Sequence, residues 1–238
     1  MKGLTHYPNH GENNPLQIGN SASPAAKATP NTVRWLALGA VIGPVLFTLA
    51  WLVLGFISPG FTIFGTLIAP YSPISAGISG LGLGVTAPYM NAAFVLGGLL
   101  TLVGVVSSMQ SIREIGGVAR WGYTVLLALS PIGMVVDGIF TLEAFFPHLV
   151  GFILGAATPI LGFLFTGLLL RRVPRWRWFG NWMLLGSPLT LALLILYFMT
   201  FSPTAAGART GVAGLTERLL VIEVFAWFVG MGWKAFRG

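Results

Sequence analysis

An all-α, polytopic membrane helix bundle with about six transmembrane helices is the fold this sequence predicts. Charged residues make up only 8% of the chain, against about 25% in soluble domains. Mean hydropathy is +0.83. Several apolar runs reach the roughly 20 residues that a helix needs to cross the hydrocarbon core. A chain this apolar cannot cover itself with polar surface in water, so lipid must be part of its solvent.

Residues 1–33 are polar and rich in Pro, Asn, Ser and Ala, with no apolar period. They are expected to form a disordered cytoplasmic tail. The stretch does not fit a signal peptide, because its charged region and the apolar run that follows are both too long. His6 and His10 are four residues apart, but Pro8 between them argues against the helix that would pair them on a metal.

Six segments then meet the spanning length: 35–57, 90–112, 121–142, 148–170, 179–201 and about 217–233. Backbone in lipid must satisfy its own hydrogen bonds, so these are helices. A β-barrel would show short alternating segments instead. Residues 34–238 thus read as one six-helix transmembrane domain.

Orientation follows from the basic residues. With six spans and the N-terminus inside, the inner flanks hold Lys2, Lys27, Arg34, Arg113, Arg120, Arg171, Arg172, Arg175, Arg177, Lys234 and Arg237, and the outer flanks hold Arg209 and Arg218. Such an imbalance places both termini in the cytoplasm. It also decides the reading of residues 58–89, which are fairly apolar but interrupted by Pro59, Pro70, Pro73 and Pro88. A seventh span there would move every later basic cluster to the other side. The stretch is therefore expected to be an outer loop, lying on or dipping into the membrane and capping the bundle.

Small residues recur at helical spacing: Gly39 and Gly43 in the first span, Gly97, Gly98, Thr101, Gly104 and Ser108 in the second, Gly151 and Gly155 in the fourth. Such faces let helix backbones approach closely in lipid. Packing within the bundle and a homodimer seam both use them. Pro44, Pro131, Pro159 and Pro188 each fall inside a span, where each removes a backbone hydrogen bond and can kink its helix.

Six acidic residues exist in the chain. Four of them, Asp137, Glu143, Glu217 and Glu223, fall toward the outer side of the last four spans, as do His148, Arg209 and Arg218. Ionisable groups in a membrane are costly, so they face the bundle interior and seek partners. Arg218 is the natural counter-ion for Glu223 or Asp137. Three readings follow: a structural ion-pair network, a polar pocket open to the outer face, or groups that snorkel to the interface. Candidate ligand-binding residues are Asp137, Glu143, His148, Glu217, Arg218 and Glu223. At the opposite face, Arg171, Arg172, Arg175, Trp176, Arg177 and Trp178 form a basic, aromatic loop suited to anchoring in lipid head groups.

Counting excludes several chemistries. The chain has no cysteine, hence no disulfide, thiolate nucleophile or Cys-ligated metal. Only His148 of the three histidines lies near a span, too few for bis-histidine haem, and a zinc site needs about three protein ligands. Lys234 sits at a helix end rather than inside a span, so a retinal protein is not indicated. No phosphate-binding glycine loop and no GxSxG elbow is present. No cofactor and no metal is expected. The net charge of +7 reflects topology signals flanking the spans rather than nucleic-acid binding. Expected partners are the lipid bilayer, a small-molecule or lipid ligand, and a second copy or another membrane protein.

The run Tyr71-Ser72-Pro73-Ile74-Ser75 through Ser79-Gly80-Leu81-Gly82, then Asn91-Ala92-Ala93-Phe94-Val95-Leu96-Gly97-Gly98-Leu99-Leu100, resembles the first half of the domain-of-unknown-function family 998. So do His148-Leu149-Val150-Gly151 and Gly214-Leu215-Thr216-Glu217-Arg218-Leu219-Leu220, followed by Trp227. The resemblance covers roughly residues 35–237. It implies a bacterial multi-pass protein of the cytoplasmic membrane without an assigned activity, and it draws attention to His148, Glu217 and Arg218. One departure falls at Ser79-Gly80, where members often carry an acidic residue. Three functions stay open on the sequence: binding or sensing in an outward-facing pocket, an intramembrane enzyme using His148 with a carboxylate, and an accessory subunit.

Overall fold

A computed structural model describes residues 31–238, besides Met1 and Gly3. His6, His10, Lys2, Lys27 and nearly all of the tail lie outside the described residues. Helix begins at Asn31, a little before the expected start of the first span. α1 (Asn31–Ala37) and α2 (Gly39–Ile57) together form that span. It is followed by α3 (Ala87–Gln110), α4 (Gly117–Ile139), a third long helix that is divided, α7 (Arg177–Thr200) and α9 (Ala213–Arg237). The divided helix runs as α5 (Phe145–Phe152), a π-helical turn at Ile153–Ala157, and α6 (Thr158–Leu170). A short α8 (Pro203–Gly207) precedes the last span. Among the described residues six helices are long and apolar enough to cross a membrane, as the sequence predicts.

Two boundaries differ in ways that matter for the polar residues. The third span ends at Ile139 rather than 142, so Asp137 lies two residues, about 3 Å along the axis, from its end. The sixth begins at Ala213 rather than 217. Glu223 is therefore about 15 Å from the start of its helix, deeper than the sequence reading placed it.

The surface confirms the solvent. Large apolar side chains such as Leu49, Phe56, Phe165, Leu189, Phe198 and Met199 are exposed, far more than water tolerates as a continuous coat. Inside, Phe47 stacks edge-on against Phe94 and Phe225, and Phe163, Phe228, Met90 and Met183 are fully enclosed. Small residues make the helix seams. Gly104 of α3 lies against the backbone of Ala40, and Gly133 of α4 against the backbone of Gly151 and Gly155. The glycine faces anticipated from spacing are thus occupied within the chain.

The π-helical turn has a local cause. Pro159 has no N–H to give to the carbonyl four residues back, that of Gly155. The Ser130 hydroxyl of α4 donates to this carbonyl instead, at 2.8 Å. A helix interrupted this way commonly marks a functional position.

Between α2 and α3 the chain is not a simple loop. β1 (Phe61–Ile63) and β2 (Thr66–Ile68) form an antiparallel hairpin, with Ile63 opposite Thr66. Phe64 and Gly65 between them both have positive φ, 47° and 78°. That is the left-handed pair a two-residue type I′ turn requires, and glycine supplies it without strain. Two 3-10 turns follow, Ile78–Gly82 and Gly84–Thr86. Ala76, Ile78, Gly80 and Leu81 are buried against the bundle, so this segment is part of the core rather than a solvated connection.

At the opposite end, Arg34 donates from Nε and Nη2 to the Phe236 carbonyl, at 3.0 and 2.8 Å. The first and last long helices therefore meet, and their Asn31 and Arg237 ends lie at the same end of the bundle.

Candidate functional site

The segment at 71–82 packs over the first turns of α9, and two neighbouring residues of α9 hold it. Arg218 is buried. Its Nη1 donates to the carbonyls of Pro73 (2.7 Å), Ala76 (3.1 Å) and Gly214 (2.8 Å), and its Nη2 to the Tyr71 hydroxyl (2.5 Å). The guanidinium also sits over the rings of Trp51 and Tyr71, 5.1 and 5.9 Å from their centroids. Tyr71 in turn donates to the Gly77 carbonyl at 2.9 Å. Burial pushes the Tyr71 phenol up to about 12, against the pull of Arg218, so it stays neutral and can both donate and accept.

The expected pairing of Arg218 with Glu223 or Asp137 does not form; among the described residues no carboxylate makes an ion pair with Arg218. Five residues separate Arg218 from Glu223, which turns the two about 140° apart on a helix. Glu223 faces α7 instead, accepting from Thr190 Oγ1 at 2.7 Å and Trp227 Nε1 at 2.5 Å.

Glu217 turns inward beside Arg218. Its Oε2 accepts the Ile78 N–H at 2.9 Å, and Gly77 lies so close to that oxygen that a Cβ would collide with it. One i, i+3, i+4, i+7 stripe of α9, Glu217, Leu220, Val221 and Val224, lines a cavity of about 60 Å³. Its other walls include Phe47, Phe94, Phe152 and Phe225, with Ser79 from the 3-10 turn, Ser130 and Asp137 from α4, and Gly155 from the π-helical turn. The space suits a few water-sized groups rather than a drug-sized molecule, whose pockets reach about 300 Å³ and more.

Asp137 is buried, with Gly151 leaving room for its Oδ1. That oxygen has no hydrogen-bond partner. The His148 ring lies beside it, with Nδ1 3.4 Å away. His148 is buried too. Its Nδ1 lies 2.8 Å from the Phe140 carbonyl, and its Nε2 lies 3.0 Å from Ser79 Oγ. A carbonyl can only accept, so Nδ1 carries the proton. In the neutral form of the ring Nε2 is then the acceptor for the Ser79 hydroxyl.

The fold thus brings together Asp137, His148 and Glu217, with Arg218 directly behind, tied to the covering segment. Glu143 is exposed in the turn before α5 and Glu223 lies on another face of α9. Ser79 and Ser130 join the site and were not among the sequence candidates. No group of three metal-ligating side chains occurs among the described residues. At the far end, Arg171, Arg172, Arg175, Arg177 and Trp178 are exposed, but Trp176 is not available to lipid. The 3-10 turn Pro174–Trp176 folds its ring inward, edge-on to Phe179 and 5.4 Å from the Lys234 ammonium.

Six membrane-crossing helices and a small acidic cavity beneath a folded-over segment define a multi-pass membrane protein with a buried polar site at one end of its bundle. Residues 41–234 match the family model described as protein of unknown function, DUF998, and the chain belongs to that family. No curated protein and no solved structure matches it significantly.

Proposed function

We propose that this protein binds or senses a small polar molecule, or the polar end of a lipid, in the cavity walled by Asp137 and Glu217, with His148 behind Asp137 and Ser79. The observation that carries the reading is the Asp137 carboxyl oxygen, buried without a hydrogen bond on the wall of that cavity. An unpaired buried acceptor costs on the order of 1–3 kcal/mol, and a ligand bearing an N–H or O–H donor would relieve it. The phenylalanine walls favour a ligand with an apolar body behind that donor. The positive-inside distribution supports a cavity facing the outer side of a cell membrane, in a bacterium the cytoplasmic membrane, with both chain termini in the cytoplasm.

Native mass spectrometry of the protein released from lipid nanodiscs, beside an Asp137→Asn variant, tests this. A discrete added mass in the parent and its absence in the variant are expected. Its value, and its dependence on the nanodisc lipid, separate a lipid from a free small molecule. A bare mass for both proteins would sink the reading. It would favour the accessory-subunit role, although the glycine faces that suggested partners are used inside the chain.

A further inference from the structure

Ser79, His148 and Asp137 stand in a row. The Ser79 hydroxyl is 3.0 Å from His148 Nε2, and His148 Nδ1 is 3.4 Å from Asp137 Oδ1. From this geometry we propose that the cavity is a serine acyl-transfer site, with Ser79 as nucleophile, His148 as general base, the Phe140 carbonyl orienting the imidazole and Asp137 balancing its charge. The substrate class is an ester carrying a small acyl group. The inference rests on the binding reading above, in that it uses the same cavity.

Each part has the state that chemistry needs. The Phe140 carbonyl fixes the proton on Nδ1, which leaves Nε2 free to accept from serine. A nucleophile and base within about 2.6–3.2 Å of each other can exchange a proton directly. Asp137 lies on the Nδ1 side, where it opposes the positive charge that appears when Nε2 takes the proton. Ser79 is set rigidly. The N–H of the preceding Ile78 is held by Glu217, and the following Gly80 lies against the Phe61 ring, where a Cβ would clash. Such support from neighbouring contacts is what keeps a reacting group in place. Ser79 is also partly accessible, whereas His148 and Asp137 are buried.

The reaction balances with water as the only co-reactant. Ser79 Oγ forms a bond to the acyl carbon as its proton passes to Nε2. The ester C–O bond then breaks, and the leaving oxygen takes that proton and departs as the alcohol. Water attacks the acyl-serine, giving a proton to Nε2, and that proton returns to Ser79 Oγ as the carboxylic acid leaves. The cavity of about 60 Å³ restricts the acyl part to a few heavy atoms, while Asp137 and Glu217 on its wall disfavour anionic ones.

The test uses the full-length protein in nanodiscs with a fluorophosphonate, which traps activated serines, and with p-nitrophenyl acetate. A phosphonyl adduct on Ser79, located by peptide mass spectrometry, is expected in the parent protein. Loss of the adduct in Ser79→Ala and at least a hundredfold slower labelling in His148→Gln are expected as well. Asp137→Asn should displace the pH profile of labelling, which a merely structural carboxylate would not do. Acetate ester should give a burst of nitrophenolate equal to the protein present. A parent protein that stays unlabelled while carrying its bound mass in the nanodisc experiment overturns the serine site and spares the binding reading. An unlabelled protein with no bound mass overturns both.

Discussion

Ser130 donates its hydroxyl proton to the Gly155 carbonyl, 2.8 Å away on the neighbouring helix, and so occupies the acceptor that Pro159 leaves without its helical donor. One side chain on α4 thereby stabilises the break between α5 and α6 and keeps two small residues at the cavity wall. Ser130→Ala should lower stability by about 1–2 kcal/mol, because the buried carbonyl loses its partner. Ser130→Thr keeps the hydroxyl and should lose less. Thermal melting followed by size-exclusion chromatography in detergent reads this, and equal melting of the alanine variant and the parent would contradict it.

Arg218 holds Pro73, Ala76 and Tyr71 with one guanidinium. Arg218→Ala should cost on the order of 3 kcal/mol or more, since several charge-assisted hydrogen bonds go at once. Arg218→Lys should recover little of it, for a compact ammonium does not reproduce the planar fork. Limited proteolysis between residues 58 and 83 should quicken in both. Unchanged cleavage would mean that the segment is held by something else.

Tyr71 makes a pH prediction whose sign can be worked out. Its phenol ionises near 12 in the folded protein and near 10 in an unfolded chain. The contribution is therefore complete below about pH 10 and is lost as pH rises toward 12. Melting temperature measured from pH 8 to 12 should fall more for the parent than for Tyr71→Phe. Parallel curves would show that Tyr71 is not enclosed.

The helix seams can be tested by contrast. A Cβ on Gly104 would enter the backbone of Ala40, whereas one on Gly122, also in a long helix, meets nothing within 4 Å. Gly104→Ala should destabilise by about 1–3 kcal/mol. Gly122→Ala should be neutral or stabilising by up to about 1 kcal/mol. Similar melting of the two variants would remove close helix contact as the reason for the glycine.

The helices were legible because length and apolarity alone decide whether a segment can cross lipid, and every one of the six met that test. The seams were legible for a related reason: Gly39, Gly43, Gly151 and Gly155 show their spacing in one dimension. Asp137, His148 and Glu217 stood out because charge is rare in this chain. Their partners did not. Arg218 was assigned a carboxylate by charge matching, yet it bonds to carbonyls of a segment about 145 residues earlier. Linear sequence cannot show which backbone oxygens a fold leaves unpaired. Trp176 was read as an anchor from its basic neighbours, and the sense of a single 3-10 turn reversed its direction. Ser79 lies 69 residues before His148, and no motif links the two. The sequence marks Ser79-Gly80 only as a departure from the family's usual acidic residue, which does not point to a partner on a distant helix.

The hold of Arg218 on Tyr71, Pro73 and Ala76 also orders events in the making of the protein. A ribosome delivers the segment at 71–82 long before the last helix, so during synthesis its carbonyls must wait among water or lipid head groups. Only when Glu217 and Arg218 arrive can the segment settle and the cavity close. A chain stopped before α9 would carry five membrane-crossing helices and leave the carbonyls of Pro73 and Ala76 without the guanidinium that holds them. The last helix acts in this sense as a completeness check on everything made before it.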